Sequence, residues 1–193
     1  MAGRAGRVSA AGRAGSVLAL AALVGLLVST PGAAQAPYFE TRDLQKAVDA
    51  LNVVDLEGRR WTMADLAGRV VLIDFWATWC APCLVQIPEF KRLRAKYEDR
   101  FEVLAISLDS RSRRDLVAWL NRQDITWPQV HDGRAFSSPA ARPFGVAALP
   151  ASLLVVNGRV VATNLRGAAL EDALDYFTST SSFDAARVPM VMR

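Results

Sequence analysis

Residues Val70 to Trp76 constrain this chain more than any others: they read Val-Val-Leu-Ile-Asp-Phe-Trp, apolar at nearly every position rather than at every second one. A strand that is apolar on both faces belongs in the middle of a sheet, with a layer packed above it and another below. Directly beyond it the chain reads Trp79-Cys80-Ala81-Pro82-Cys83. Pro82 suits the first turn of a helix, where its missing N–H costs nothing. The expectation is a buried strand followed by a helix that begins at the cysteines.

Cys80 and Cys83 are the only cysteines in the chain. At i and i+3 they share one face of a helix, close enough for their sulfurs to bond. The unpaired N–H groups and positive dipole end of a helix start favour thiolate over thiol at Cys80. Cys80 is therefore the expected nucleophile and Cys83 its resolving partner, in reversible thiol–disulfide exchange. Two other readings of the pair stay open. As a structural staple it closes a tiny ring, which the chain-entropy model rates at about 2 kcal/mol. As a metal site it needs two more ligands, and His131 is the only histidine. A peroxide-reducing thiol usually follows Thr-x-x-Cys, whereas Ala77 holds that place here and Thr78 stands one position too close. No metal and no other cofactor is expected.

The N-terminus bears on where this chemistry takes place. Arg4, Arg7 and Arg13 precede an unbroken apolar stretch from Val17 to Val28, followed by Ser29-Thr30-Pro31-Gly32-Ala33-Ala34. A basic region, a short apolar core and small residues make a secretory signal peptide over residues 1–34, cut after Ala34. The apolar core is shorter than the roughly 20 residues a spanning helix needs. The uncharged stretch from Ala14 to Ala36 only just reaches, with Pro31 and Gly32 interrupting it. Retention as an N-terminal membrane anchor is the alternative. The expected location is periplasmic or otherwise extracytoplasmic, or the inner membrane if the anchor stays. Residues 1–34 hold three of the 23 basic residues and none of the 19 acidic ones, so the rest carries 20 against 19. A basic nucleic-acid face is not supported.

Behind the signal, residues 35–51 read as a linker and short helix, 52–178 as one folded domain and 179–193 as a tail. Thr41 to Leu51 is amphipathic, with Leu44, Val48 and Leu51 in line and Thr41 as its cap. Asn52–Leu56 and Arg60–Thr62 flank Glu57-Gly58-Arg59 as a hairpin. Helices are expected over Ala81–Glu98, kinked at Pro88, over Arg113–Asn121 with Leu116, Val117 and Leu120 inward, and over Ala168–Phe177. Strands are expected at Phe101–Leu108, and at Ser152–Val156 and Val160–Asn164 around the turn signal Asn157-Gly158. This order implies an α/β fold, a mixed sheet with helices on both faces.

The run Asp74-Phe75-Trp76-Ala77-Thr78-Trp79-Cys80-Ala81-Pro82-Cys83, with Pro88 five beyond the second cysteine, resembles thioredoxin. The stretches Asp55-Leu56-Glu57-Gly58 and Leu66-Ala67-Gly68-Arg69-Val70-Val71-Leu72, with the exported N-terminus, resemble more narrowly the TlpA/ResA-like branch of extracytoplasmic thiol–disulfide oxidoreductases. The resemblance covers about Asn52 to Phe177. It implies a thioredoxin-like fold with an N-terminal hairpin extension and a cis bond at Leu149–Pro150. Pro150 would face the cysteines, with Leu149 and Trp79 lining a groove for an extended client chain. It also implies that Asp74, buried in the strand with a raised pKa, exchanges protons with Cys83. Gln86 stands where that branch often has glutamate, which removes either a proton donor or a client contact. The partners implied are a disulfide-containing exported protein and a membrane or periplasmic thiol electron donor. Many members are reductases serving cytochrome c or copper-site maturation. Ala81-Pro82 offers no histidine to stabilise the Cys80 thiolate, which argues for a reductase here too. A disulfide oxidase or isomerase, and a non-catalytic binding module, are the rival classes.

Overall fold

The fold comes from a computed structural model that describes Phe39 and residues 43–179. The expected signal peptide or anchor over 1–34, the cap at Thr41 and the tail from residue 180 lie outside the described residues. Among the described residues no helix is long and apolar enough to cross a membrane.

The first helix, α1 (Leu44–Asp49), starts at Asp43, whose carboxylate accepts the Lys46 N–H at 3.0 Å and so satisfies one of the open donors of the first turn. The helix is thus shorter at both ends than its periodicity predicts. β1 (Asn52–Val54) and β2 (Arg60–Thr62) pair antiparallel as a separate two-stranded sheet. Buried Asp55 closes their turn. One oxygen accepts the Glu57 and Arg59 N–H groups, both at 2.9 Å, and the other accepts the Trp61 indole N–H at 2.9 Å.

The main sheet has the order β5-β4-β3-β6-β7 and is centred on β3 (Val70–Trp76). Its other members are β4 (Phe101–Ser107), β5 (Gln129–Val130), β6 (Ala151–Val156) and β7 (Arg159–Thr163). β3, β4 and β5 run parallel, whereas β6 and β7 are antiparallel to their neighbours. Four helices complete the fold: α2 (Ala81–Leu84), α3 (Ile87–Tyr97), α4 (Arg113–Arg122) and α5 (Ala168–Ser179).

Successive side chains of β3 go to opposite faces, and every one of them is buried. Val70, Leu72 and Trp76 pack with Phe90 and Leu93 of α3, Leu116 and Leu120 of α4, and Leu170 and Leu174 of α5. Val71, Ile73 and Phe75 pack with Val48 of α1, Trp61, Leu66 and Phe144. The crossovers from β3 to β4 and from β4 to β5 advance in one direction. Right-handed connection therefore puts α3 and α4 on the same face. With α1 opposite, helices cover both sides of a mixed sheet, the architecture that the sequence predicts.

Three local differences have physical causes. The expected continuous helix Ala81–Glu98 is two helices, broken at Val85–Gln86. Pro88 has no N–H to donate, and the chain tightens ahead of it. The Gln86 N–H bonds the Cys83 carbonyl at 3.1 Å, which leaves Pro88 in the first turn of α3, where no donor is required. The short β5 has no periodicity of its own and exists only through its pairing with β4. Val117 is half-buried rather than in the core. The turn from β6 to β7 has φ of 49° at Asn157 and 77° at Gly158, the left-handed pair that a tight hairpin demands.

Both outer strands of the main sheet are engaged by the segment that precedes it. On the β5 side, the Leu56 N–H bonds the Gln129 carbonyl at 2.7 Å. On the β7 side, the Gln45 amide of α1 accepts the Val160 N–H and donates to the Gly158 carbonyl, each at 2.9 Å.

Candidate active site

β3 hands the chain to the turn Ala77–Trp79, and Cys80 occupies the cap position of α2. Cys80 and Cys83 form a disulfide, with Cα atoms 5.3 Å apart. The Cys80 sulfur also accepts the Cys83 N–H at 3.3 Å. Because α2 is a single turn, this one N–H, more than the dipole of a long helix, is the group placed to stabilise negative charge on Cys80. Both cysteines are buried to about the same degree, each 5% exposed. Beside them Trp79 is 59% exposed, its ring 6.4 Å from that of exposed Phe136.

Asp74 lies beneath the pair on the central strand, between Ala105 of β4 and Ser152 of β6 in the register. Burial pushes its carboxyl up from the ordinary 3.8 to about 7, and the Arg166 guanidinium partly offsets that rise. Asp74 and Cys83 line the same small cavity with Trp76, Ile87, Phe90 and Trp127. Its volume, about 10 Å³, is close to that of a single water molecule. A carboxyl poised between neutral and charged near neutral pH, sharing a small buried cavity with Cys83, is suited to moving one proton.

The Leu149–Pro150 peptide bond is cis. Pro150 precedes β6, and Phe75 pairs with Ala151, so Pro150 stands at the end of the sheet from which the Ala77–Cys80 turn departs. Half-buried Leu149 packs against the apolar cluster that contains both cysteines. Gln86 is turned back on α2, its amide 3.4 Å from the Pro82 carbonyl. Trp76 is a core residue, with its indole N–H on the Gln129 side-chain oxygen at 3.0 Å and its ring against Trp119. His131 bonds the Arg111 carbonyl through Nε2 at 3.0 Å.

A residue that the sequence reading passed over is Asp109, just beyond β4. Its buried carboxylate accepts the Thr78 N–H at 2.9 Å, the Thr78 hydroxyl at 2.7 Å, the Ser107 hydroxyl at 3.1 Å and the Arg111 Nε–H at 3.2 Å. It pins the turn that presents Trp79 and Cys80, and it engages the hydroxyl of Thr78. The only local signal was an acid directly after a buried strand. Its partner is 31 residues away.

A surface groove of about 450 Å³ lies elsewhere, around Arg69 and Phe101 at the starts of β3 and β4. Its charges are of both signs and largely paired, Lys91 with Asp124 at 3.3 Å and Arg94 with Glu102 at 2.7 Å. It offers no convergent set of groups, so the chemistry belongs to the cysteine end. Among the described residues no cluster of metal-ligating side chains occurs.

This geometry has counterparts among known proteins. The solved thiol–disulfide oxidoreductase of Bacteroides fragilis matches with a TM-score of 0.58 at 28% identity, over 65% of this chain and 94% of that one. The chain is 31% identical over 96 residues to the thioredoxin-like protein YneN of Bacillus subtilis, which is 49% of this chain and 56% of that protein. It is 34% identical over 100 residues to the thiol–disulfide oxidoreductase ResA of Oceanobacillus iheyensis, which is 50% of this chain and 46% of that protein. The chain thus spans about half the length of these curated relatives. Relatives named ResA agree with the branch that the Asp55–Gly58 and Leu66–Leu72 stretches resemble. Residues 34–163 match the pattern of the AhpC/TSA family, and over that majority of its length the chain belongs to this family.

Proposed function

We propose that the protein is an exported thiol–disulfide oxidoreductase that reduces disulfides in exported client proteins, with cytochrome c or metalloprotein maturation as its setting. The observation that carries this reading is the Cys80–Cys83 disulfide set above a buried Asp74. The Cys80 thiolate attacks a client disulfide and expels one client thiolate, forming a mixed disulfide beside Pro150. Asp74 takes the proton of Cys83, whose thiolate attacks the Cys80 sulfur and expels the second client thiolate. The client gains two electrons and the enzyme ends as the Cys80–Cys83 disulfide. A dithiol donor at the membrane or in the same compartment returns the electrons. Trp79 and Leu149 form the walls against which the client chain lies.

Export is supported by the basic and apolar pattern of residues 1–34. The reducing direction is supported by Ala81-Pro82, which brings no cation to the Cys80 thiolate. The engagement of the Thr78 hydroxyl by Asp109 supports exchange over peroxide reduction. Insulin reduction with a dithiol donor tests the activity: wild type accelerates precipitation and Cys80→Ser does not, and equal rates would leave this thiol without a role. The reduction potential of the pair tests the direction, and a value above that of the client disulfides would reverse it.

A further inference from the structure

Arg166 lies in the turn between β7 and α5, where no motif marks it, and is half-buried. Its Nη2 donates to the Pro150 carbonyl at 2.7 Å. Two residues earlier Asn164, with φ of 57°, accepts the Ser152 N–H on its side chain at 3.0 Å and donates its own N–H to the Ser152 carbonyl at 2.9 Å. The turn therefore grips Pro150, just ahead of β6, and Ser152 within it. Ser152 is the register partner of Asp74. One short segment thus holds the strand that follows the cis bond and carries a permanent positive charge whose field reaches the buried carboxyl.

We propose that Arg166 is a positioning residue that couples Asp74 to the client-binding strand, one arm of its guanidinium fixing the Pro150 carbonyl while its charge bears on the Asp74 carboxyl. This rests on the exchange mechanism above, in which Asp74 serves Cys83. The elements packed around Asp74 bring Cys83 from α2, Ile87 and Phe90 from α3, and Ala105 and Ser152 from the flanking strands. Among these Cys83 is the titratable group, and Arg166 supplies the charge; Glu89, also on α3, acts on Arg92. Burial drives the Asp74 carboxyl toward its protonated form, which is of little use as a base. The guanidinium returns part of the charged form. The coupling is reciprocal: when Asp74 takes the proton of Cys83, the pull on Arg166 slackens while the client still lies against Pro150.

The test is the pH dependence of insulin reduction in the full chain, with Arg166→Gln, Arg166→Met and Arg166→Lys, each alone and combined with Asp74→Asn. Arg166→Gln keeps a donor for the Pro150 carbonyl without the charge, and serves where the Met variant does not fold. Loss of the charge is expected to move the acid limb of the rate profile up by about 1 pH unit, the low end of what a neighbouring opposite charge exerts. Lys should restore most of that shift, and in the Asp74→Asn background the shift should vanish. An unmoved limb in Arg166→Gln, or an equal shift without Asp74, overturns the coupling. If Asp74→Asn itself leaves the wild-type profile unchanged, the proton-transfer reading of Asp74 falls and the coupling with it. If Asp74→Asn alters the profile and Arg166→Gln does not, the coupling alone falls.

Discussion

A carboxyl in the centre of the sheet works against stability, and the sign of that effect can be measured. Asp74 titrates near 7 in the fold against an ordinary 3.8, so between those values the folded state holds a proton that the unfolded chain has lost. Stability therefore falls as pH rises through this window and stays low above it. The full penalty is roughly 4 kcal/mol. Asp74→Asn should raise the melting temperature at about pH 8 and change it little at about pH 3, below both values. The same variant should slow insulin reduction at neutral pH by about a hundredfold, because the proton acceptor for Cys83 is gone. Cys80, Cys83, Asp74 and Pro150 were legible in the sequence because each stands in a short, recognisable string. Asp109 and Arg166 were not. Asp109 works through Thr78, 31 residues back, and Arg166 through Pro150, 16 residues back, so neither role has a local pattern.

Among the elements, the turn between β3 and α2 depends on a neighbour rather than on itself. Asp109→Ala removes the acceptor of four hydrogen bonds and leaves the half-buried Thr78 N–H without its partner, at a cost of about 3 kcal/mol. Denaturant unfolding should read that loss, and the alkylation rate of reduced Cys80 should change with it, since Trp79 and Cys80 follow directly. Pro88→Ala should do far less, within about 1 kcal/mol, because Pro88 sits in the first turn of α3 instead of interrupting a long helix. β3, β4, α4, α5 and the Asn157-Gly158 hairpin were read closely from periodicity and turn chemistry. β5 escaped because two residues carry no period. The break before α3 escapes because a proline inside a helical pattern reads as a kink, whereas the chain ends one helix and begins another ahead of it.

At the scale of the whole molecule, an exposed ionic network fastens α5 to α3. Glu171 accepts from Arg92 at 2.7 Å and from Lys96 at 2.8 Å, and Asp175 accepts from Tyr97 at 2.8 Å. Those hydrogen bonds, from Arg92 first and then Lys96, hold the Glu171 carboxyl down from 4.5 to about 2. Its contribution is present above 4.5 and drains away as pH falls toward 2. Lys96 is shifted upward, mainly by Glu171, so the network persists at neutral pH. Glu171→Gln should flatten the acid side of a stability curve at low salt, and added salt should erase much of the difference, since the groups face solvent. A curve unchanged by the substitution would remove the network from the account.

The engagement of Gln129, Gly158 and Val160 by Leu56 and Gln45 means that the residues ahead of β3 act as bumpers on both rims of the sheet. An open sheet rim recruits other strands indiscriminately. A form clipped after Leu56 should keep its sulfurs but begin to stick to itself, visible as particle growth with concentration in light scattering.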